Sequence, residues 1–419
     1  MNGVRFNSDE ARGVRGGKHT SLVSTGRTKL GVSAIADLGG VRLAKPGRSD
    51  VGRRFPNTSD KLRCGACYGA EFEGPDVTKA SELRDPAAAV PLFNGSPLLL
   101  SAGTIPTATF VERVEAARCA GFDAISLFPQ QYLDARKREK RSVADMRRIL
   151  SDNGIRLDEV DPLLDWFGPM QSRSEALIFE IAQELGARSI NAPSAFAPAI
   201  EVSEVTSAFA RLCERAAALA LRVDLEFLPW TIVPDLRSAL QIVRDADQSN
   251  AGVMLDCWHF YRGGSDVDEI SRLSKDEAAR ITSIQVNDAP SAPTPPSRTE
   301  KLAIAKSMLL NARDGIRVMG PKHFIRAATT ASHPHPDAYA LMTEAISARL
   351  LPGDGDIPLR SILRRLDAAG CAPTVGLEVF SLMLNRKTPA DAAHQAMQSY
   401  RRVSERAAND SRMGAGRPL

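Results

Sequence analysis

The sequence predicts a (β/α)8 barrel, and two observations carry that prediction. Short apolar segments begin near residues 98, 124, 157, 188, 223, 252, 282 and 374. The first six intervals run from about 26 to 35 residues, the size of one strand–helix unit, and helical patterns fill most of them. A doubly wound sheet is the rival architecture. It usually needs fewer strands, and the glycine-rich turn that follows its first strand is missing here.

The elements follow in order. Leu98-Leu99-Leu100 is the first strand, and a helical pattern from Thr109 to Ala120 stops at Gly121. Ala124–Phe128 is the second strand, and Ser142 caps a helix that ends near Gly154. Leu157–Val160 is the third, followed by an amphipathic helix from Glu175 to Leu185. Ser189-Ile190-Asn191 is the fourth, and Ser203 opens an alanine-rich helix to about Leu221. Val223–Glu226 is the fifth, with Asp235 capping the next helix, and Val253–Asp256 is the sixth, before a helix from Asp266 to Leu273. Ile281–Val286 is the seventh; after a long gap come a helix from Pro358 to Ala369, strand Val375–Val379 and a closing helix from Ala390 to Arg406.

Composition bounds the rest. The chain has 419 residues, 43% apolar and 25% charged, with no apolar run near 18 residues. A membrane span and a fibrous chain are excluded on that reading, and a cytoplasmic protein is expected. Net charge is +4, and residues 1–90 carry 15 Lys+Arg against 10 Asp+Glu. The remaining body is close to neutral, so nucleic acid is not an expected partner. Residues 1–90 also hold 13 of the 30 glycines and are read as a disordered, basic extension; 411–419 is read as a flexible tail. Cys64 and Cys67 form the only C-x-x-C pair, and a zinc site would want a second. The interval before the last strand is about 60 residues too long. Residues 290–340, proline-rich at first and basic, are read as an insertion after strand seven, disordered or partly ordered. A packed lid with His333 or His335 turned inward is the competing arrangement.

In such barrels the chemistry sits at the C-terminal strand ends. Strand five ends in Glu226, and strand six in Asp256, with His259 three residues on. Strand seven carries Gln285, then Asn287 and Asp288, and strand eight ends in Glu378. Burying several carboxylates in one mouth needs a counter-charge, and a divalent cation would supply it. An all-oxygen donor set suits Mn²⁺ or Mg²⁺, with Co²⁺ a further candidate. Aromatics at the mouth, Trp166 among them, can stack on a sugar face, and Asn191 can bond a hydroxyl. Arg386, eight residues past Glu378, can take an acidic group.

These segments resemble the sugar phosphate isomerase/epimerase family, the xylose-isomerase-like TIM barrels. The resemblance rests on Leu225-Glu226, Leu255-Asp256-Cys257-Trp258-His259, Gln285-Val286-Asn287-Asp288, Leu351-Pro352-Gly353-Asp354-Gly355-Asp356-Ile357 and Leu377-Glu378-Val379-Phe380. It covers about residues 97–289 and 345–405. It implies one divalent metal held by Glu226, Asp256, Gln285 and Glu378, with Gln285 standing where many members have His. It also implies that His259 faces the substrate. The expected activity is isomerisation or epimerisation of a sugar or keto-polyol through an enediolate, with Glu226 and Glu378 as the acid/base pair. Loss of a β-hydroxyl instead would make the chain a lyase of inosose or 3-dehydroshikimate dehydratase type, and Gln285 favours that alternative. A non-catalytic barrel is the third reading. A DNA-repair endonuclease on the same scaffold would need a histidine-rich trinuclear site, and only His259 lies among the motifs. A small-molecule substrate is the expected partner, with no membrane or nucleic acid, and a homo-oligomer is compatible with the sequence.

Overall fold

A computed structural model describes residues 92–292 and 295–415; readings that fall on 1–91, including Cys64 and Cys67, and on 416–419 lie outside these residues. Eight parallel strands close into a barrel in chain order: β1 Leu98–Leu100, β2 Ala124–Leu127, β3 Arg156–Val160, β4 Ser189–Pro193, β5 Arg222–Glu226, β6 Ala251–Asp256, β7 Ile281–Val286 and β8 Thr374–Leu377. β8 closes on β1, with Leu98 opposite Val375 and Leu100 opposite Leu377. Each predicted strand lies within a residue or so of its expected start. The apolar runs are continuous, without alternation, because a barrel strand is covered by side chains on both faces.

The helices between strands are α1 Phe110–Ala120, α2 Pro129–Lys137, α3 Val143–Asp152, α4 Arg173–Leu185, α5 Val202–Ala217, α6 Leu236–Asp245, α7 Cys257–Arg262, α8 Val267–Ser271 and α9 Lys275–Arg280. Their starts are written in local chemistry. Thr109 and Glu112 form a capping box on α1, and Ser142 and Asp145 form one on α3. Asp235 caps α6 by accepting the Ser238 N–H. Such caps contribute roughly 1 kcal/mol each. Gly121 ends α1 in the left-handed region at φ 84°. Helices α2, α7 and α9 are too short to show a periodic signal in the sequence.

The segment after β7, expected to be disordered or only partly ordered, is largely helical. It holds α10 Arg298–Met319, α11 Pro321–Thr330 and α12 Ala338–Ala345. The proline cluster misleads: it ends at Pro296, and Ser297 and Glu300 then form a capping box on a run of good helix formers. The chain returns through α13 Leu359–Ala368 to β8 and closes with α14 Pro389–Ala415. That last helix takes in half of the expected tail, since no proline interrupts it before Pro418.

One close approach fixes a residue type in the barrel wall. Gly252 on β6 lies opposite Asp224 on β5. A Cβ there would meet the Thr282 hydroxyl at 1.9 Å and Asp224 Oδ1 at 2.4 Å. Asp224 is fully buried and is held by Arg222 and Ser283. Among the described residues no helix is long and apolar enough to cross a membrane.

Candidate active site

The ends of β5 to β8 converge. Glu226, Asp256, Gln285 and Glu378 are each at most 5% exposed, and His259 is as buried. Asp256 does two local jobs. Its Oδ1 caps α7 by accepting the His259 N–H at 2.9 Å, which places His259 at the mouth. Its Oδ2 accepts from Asn287 Nδ2 at 2.7 Å. His259 Nε2 then lies 3.4 Å from Glu226 Oε1. Its ring is walled by Trp230 and Trp258, with centroids 5.4 and 5.2 Å away. Ser101, just past β1, donates to Glu378 Oε1 at 2.8 Å.

The structure adds Arg349, which the sequence reading had passed over. Its guanidinium is buried at the centre of the cluster. Nη1 donates to Asp256 Oδ2 at 2.7 Å and to Glu378 Oε2 at 3.1 Å, and Nη2 lies 3.3 Å from His259 Nε2. Bonds to Phe380 O and Ala345 O fix its backbone and side chain. The Leu-Pro-Gly-x-Gly-x-Ile stretch that follows is tied down by Asp288. Asp288 exchanges backbone bonds with Leu350, and its carboxylate accepts from the N–H of Gly353 and of Ile357. A Cβ at Gly355 would meet Ala289 O at 2.4 Å, so the wrap requires glycine. Asp288 thus shapes the loop that carries Arg349. The sequence carries the signal: a mouth full of acids needs positive charge, and a buried arginine supplies it as a metal would.

Two further carboxylates were also missed. Asn191 donates through one nitrogen to Glu226 Oε2 at 2.8 Å and to Asp161 Oδ1 at 3.0 Å. Asp161 and Glu159 are buried on the β3 side, and burial pushes both well above the usual carboxylate range, with neighbouring acids adding to the shift. Glu378 is pushed up to about 8, first by burial and then by Glu226 and Asp256, with Arg349 opposing. Asn191 therefore serves the carboxylates with its amide nitrogen, while its Oδ1 is buried without a partner among the described residues.

Two expected site residues lie elsewhere. Trp166 is 1% exposed, donates Nε1 to Pro193 O at 3.0 Å and packs on Phe167 and Phe209. It belongs to the core, since its indole is fully occupied. Arg386 is exposed on a short 3₁₀ turn, Leu384–Arg386, and is not drawn into the cluster.

The cluster has the properties of a cation site. Donor atoms of Glu226, Asp256 and His259 lie within 4.8 Å of one another, close enough to share an ion; His259, expected to face the substrate, is in this group, and the expected ligand Glu378 is not. Among the described residues, Gln285 Oε1 is buried with no hydrogen-bond partner, which leaves it free to meet an ion, and Asn287 Oδ1 is in the same condition. Arg349 pairs with Asp256 and Glu378, and Glu226 lies close enough to act on its charge.

Comparison with known proteins now places the chain. Residues 114–403 match the family model of the xylose isomerase-like TIM barrel. The chain belongs to that family. It is 30% identical over 201 residues to a 3-dehydroshikimate dehydratase of Pseudomonas aeruginosa and 28% identical over 197 residues to one of Pseudomonas putida. Each match covers 45% of this chain and 29% of the relative, so the chain spans under a third of those proteins. A crystal structure of the IOLI protein with a bound zinc atom superposes with a TM-score of 0.55 at 18% identity, covering 74% of this chain and 99% of that one. That likeness concerns the fold.

Proposed function

We propose that the chain is a divalent-metal-dependent lyase that removes water from a small polyhydroxylated keto acid of the 3-dehydroshikimate class. The observation that carries this reading is the buried Glu226, Asp256, Gln285 and Glu378 cluster with an unengaged Gln285 Oε1, in a chain whose curated relatives are dehydratases. Those four residues would hold the ion, with Mn²⁺ or Mg²⁺ suited to the oxygen donors. A bound divalent ion supplies the positive charge that polarises the substrate's keto oxygen and offsets the negative charge that develops as the α-proton leaves. Glu226, held by Asn191, takes that proton from carbon. His259, 3.4 Å away, relays it to the departing β-hydroxyl. A C–H and a C–O bond break, a C=C bond forms, and water leaves. Arg349 keeps Asp256 and Glu378 in place and lowers the cost of gathering their charges.

The isomerase or epimerase expected from the sequence shares the first step and returns the proton to carbon instead. The fate of the proton separates them. Metal-loaded protein is incubated with 3-dehydroshikimate in D₂O, and ultraviolet absorbance and NMR are recorded. Elimination followed by enolisation gives an aromatic dihydroxy acid with strong absorbance. Deuterium at the α-carbon of a sugar or keto-polyol, without elimination, would replace the lyase by the isomerase. No reaction with acids, inososes or keto-sugars under any metal would leave the non-catalytic barrel.

A further inference from the structure

The insertion turns an unusual face outward. Nine large apolar side chains are exposed among the described residues, and six of them lie between 298 and 345. On α10, Leu302, Leu309 and Ile316 recur at intervals of seven, and Ala305 and Ala312 fall between them at the intermediate turns. This is the a/d spacing of a helix-pairing seam. Leu302 and Leu309 are 74% and 72% exposed, so the seam has no partner within the described fold. The opposite face is already used. Ile304 and Val318 are buried there, α10 packs on α2, α4 and α11, and Arg317 pairs with Asp134 of α2 at 2.6 Å; the seam itself ends at Met319, the next position in its register, which is buried in the fold.

Charge selects the occupant. The exposed residues of α10 include Arg298, Lys301, Lys306 and Arg313 and no Asp or Glu. Arg313 touches Asp314, and that carboxylate is mostly covered. Lys306 and Arg313 occupy the positions beside the seam that read a partner's charge, and Lys301 lies on its other flank. A second copy of this chain would set lysine and arginine against lysine and arginine in either orientation. A lipid surface would want a broad apolar face with aromatics; the seam itself is two residues wide per heptad, and the exposed Tyr339 beside it turns its hydroxyl to Met308.

We infer that α10 is a docking surface for an amphipathic helix of a protein partner, with an apolar a/d stripe flanked by Asp or Glu. The seam supplies burial, and Lys301, Lys306 and Arg313 supply specificity and orientation. This inference is independent of the chemistry at the barrel mouth.

The test uses the full chain and a defined probe: a fluorescent 21-residue helix with Leu at a and d and Glu at e and g. Its own acidic flanks keep it from pairing with itself. Fluorescence anisotropy should show saturable 1:1 binding that weakens with salt. The double variant Lys306→Glu/Arg313→Glu should lose at least tenfold in affinity, and a probe with Lys in place of Glu should bind that variant instead. Leu309→Glu should abolish binding of both probes, with circular dichroism checking that the fold persists. No binding to the full chain overturns the inference, as does equal binding to the double variant. Binding to phosphatidylserine vesicles with none to the probe overturns it in favour of a membrane. Self-association in sedimentation that Leu309→Glu abolishes overturns it in favour of a second copy.

Discussion

The barrel mouth and the insertion that follows β7 hide opposite kinds of residue. At the mouth, carboxylates, an arginine, a histidine and two amides are buried and tied together by short hydrogen bonds. In the insertion, leucines and isoleucines face outward, and α11 buries none of its residues. The first region accepts the cost of desolvating charge, which is sustained only where each group has partners and the site has a use. The second leaves apolar area unused, which is sustained only where something covers it or where local stability is low. Function is thus expected where the structure departs from the ordinary inside–outside rule.

Glu226→Gln should break the mouth's chemistry most severely. The substitution keeps the Asn191 contact and removes the base, so turnover should fall by about 10²–10⁴ with the melting temperature nearly unchanged. Steady-state kinetics beside calorimetric melting checks this, and an active variant would remove Glu226 from the mechanism.

Arg349→Ala should be the largest stability change at the mouth. It leaves Asp256 buried without its cation and Glu378 without a hydrogen-bond donor, a loss of about 3–5 kcal/mol in the metal-free protein. Urea unfolding measures it, and added metal should recover part of the loss by supplying the missing charge. A change below about 1 kcal/mol would mean that the two carboxylates do not depend on the arginine.

The pH dependence sharpens the same point. Glu378 rests at about 8 in the fold against a usual 4.5. Burial favours its neutral form, so its contribution to stability is full below about 4.5 and is lost as pH rises through 8. Glu159 and Asp161 shift in the same sense. The metal-free protein should therefore melt at progressively lower temperature between these limits, and Glu378→Gln should flatten part of that slope. A melting temperature that rises across this range would overturn the assignment.

How far these regions were legible in the sequence follows from the same contrast. The strands and the four strand-end groups were legible because each is encoded locally, by an apolar run followed by a polar residue. Their convergence follows from barrel closure alone. Arg349 was not legible, because its role depends on a pairing across about 93 residues with Asp256 and on the Asp288-bound loop that aims it. Asp161 was hidden for the same reason, since only the shared Asn191 amide joins it to Glu226. Trp166 was misplaced because an aromatic after a strand can point to the mouth or to the helix layer, and Phe209 on α5 decides which. The insertion's helices were readable from Ser297 onward, but the preceding prolines dominated the reading.

The last prediction sits where the two regions meet. Glu344 at the end of α12 is buried, and one of its oxygens accepts from Trp258 Nε1 at 3.3 Å and from Arg262 Nε at 3.2 Å. Trp258 in turn walls His259. Other ties are weaker in kind: the Ser332 N–H to Ala197 O, and His333 to the Trp230 backbone. At the mouth the insertion is tied by this buried ionic contact and a few backbone bonds; away from it, α10 packs on α2 and α4 with the Arg317–Asp134 pair, and Phe324 of α11 meets Phe196 edge-on. Glu344→Ala removes the anchor and leaves Arg262 without its partner. Amide hydrogen exchange in α12 should speed up by an order of magnitude or more, because Glu344 is its buried side-chain anchor at the mouth, while α10 should change less because it keeps the Arg317–Asp134 pair and its packing on α2 and α4. Exchange in β5 and β6 should stay the same, since their ladders do not pass through Glu344. Equal acceleration in both regions would show that the insertion is one cooperative unit with the barrel, and the contrast between them would then be one of composition alone.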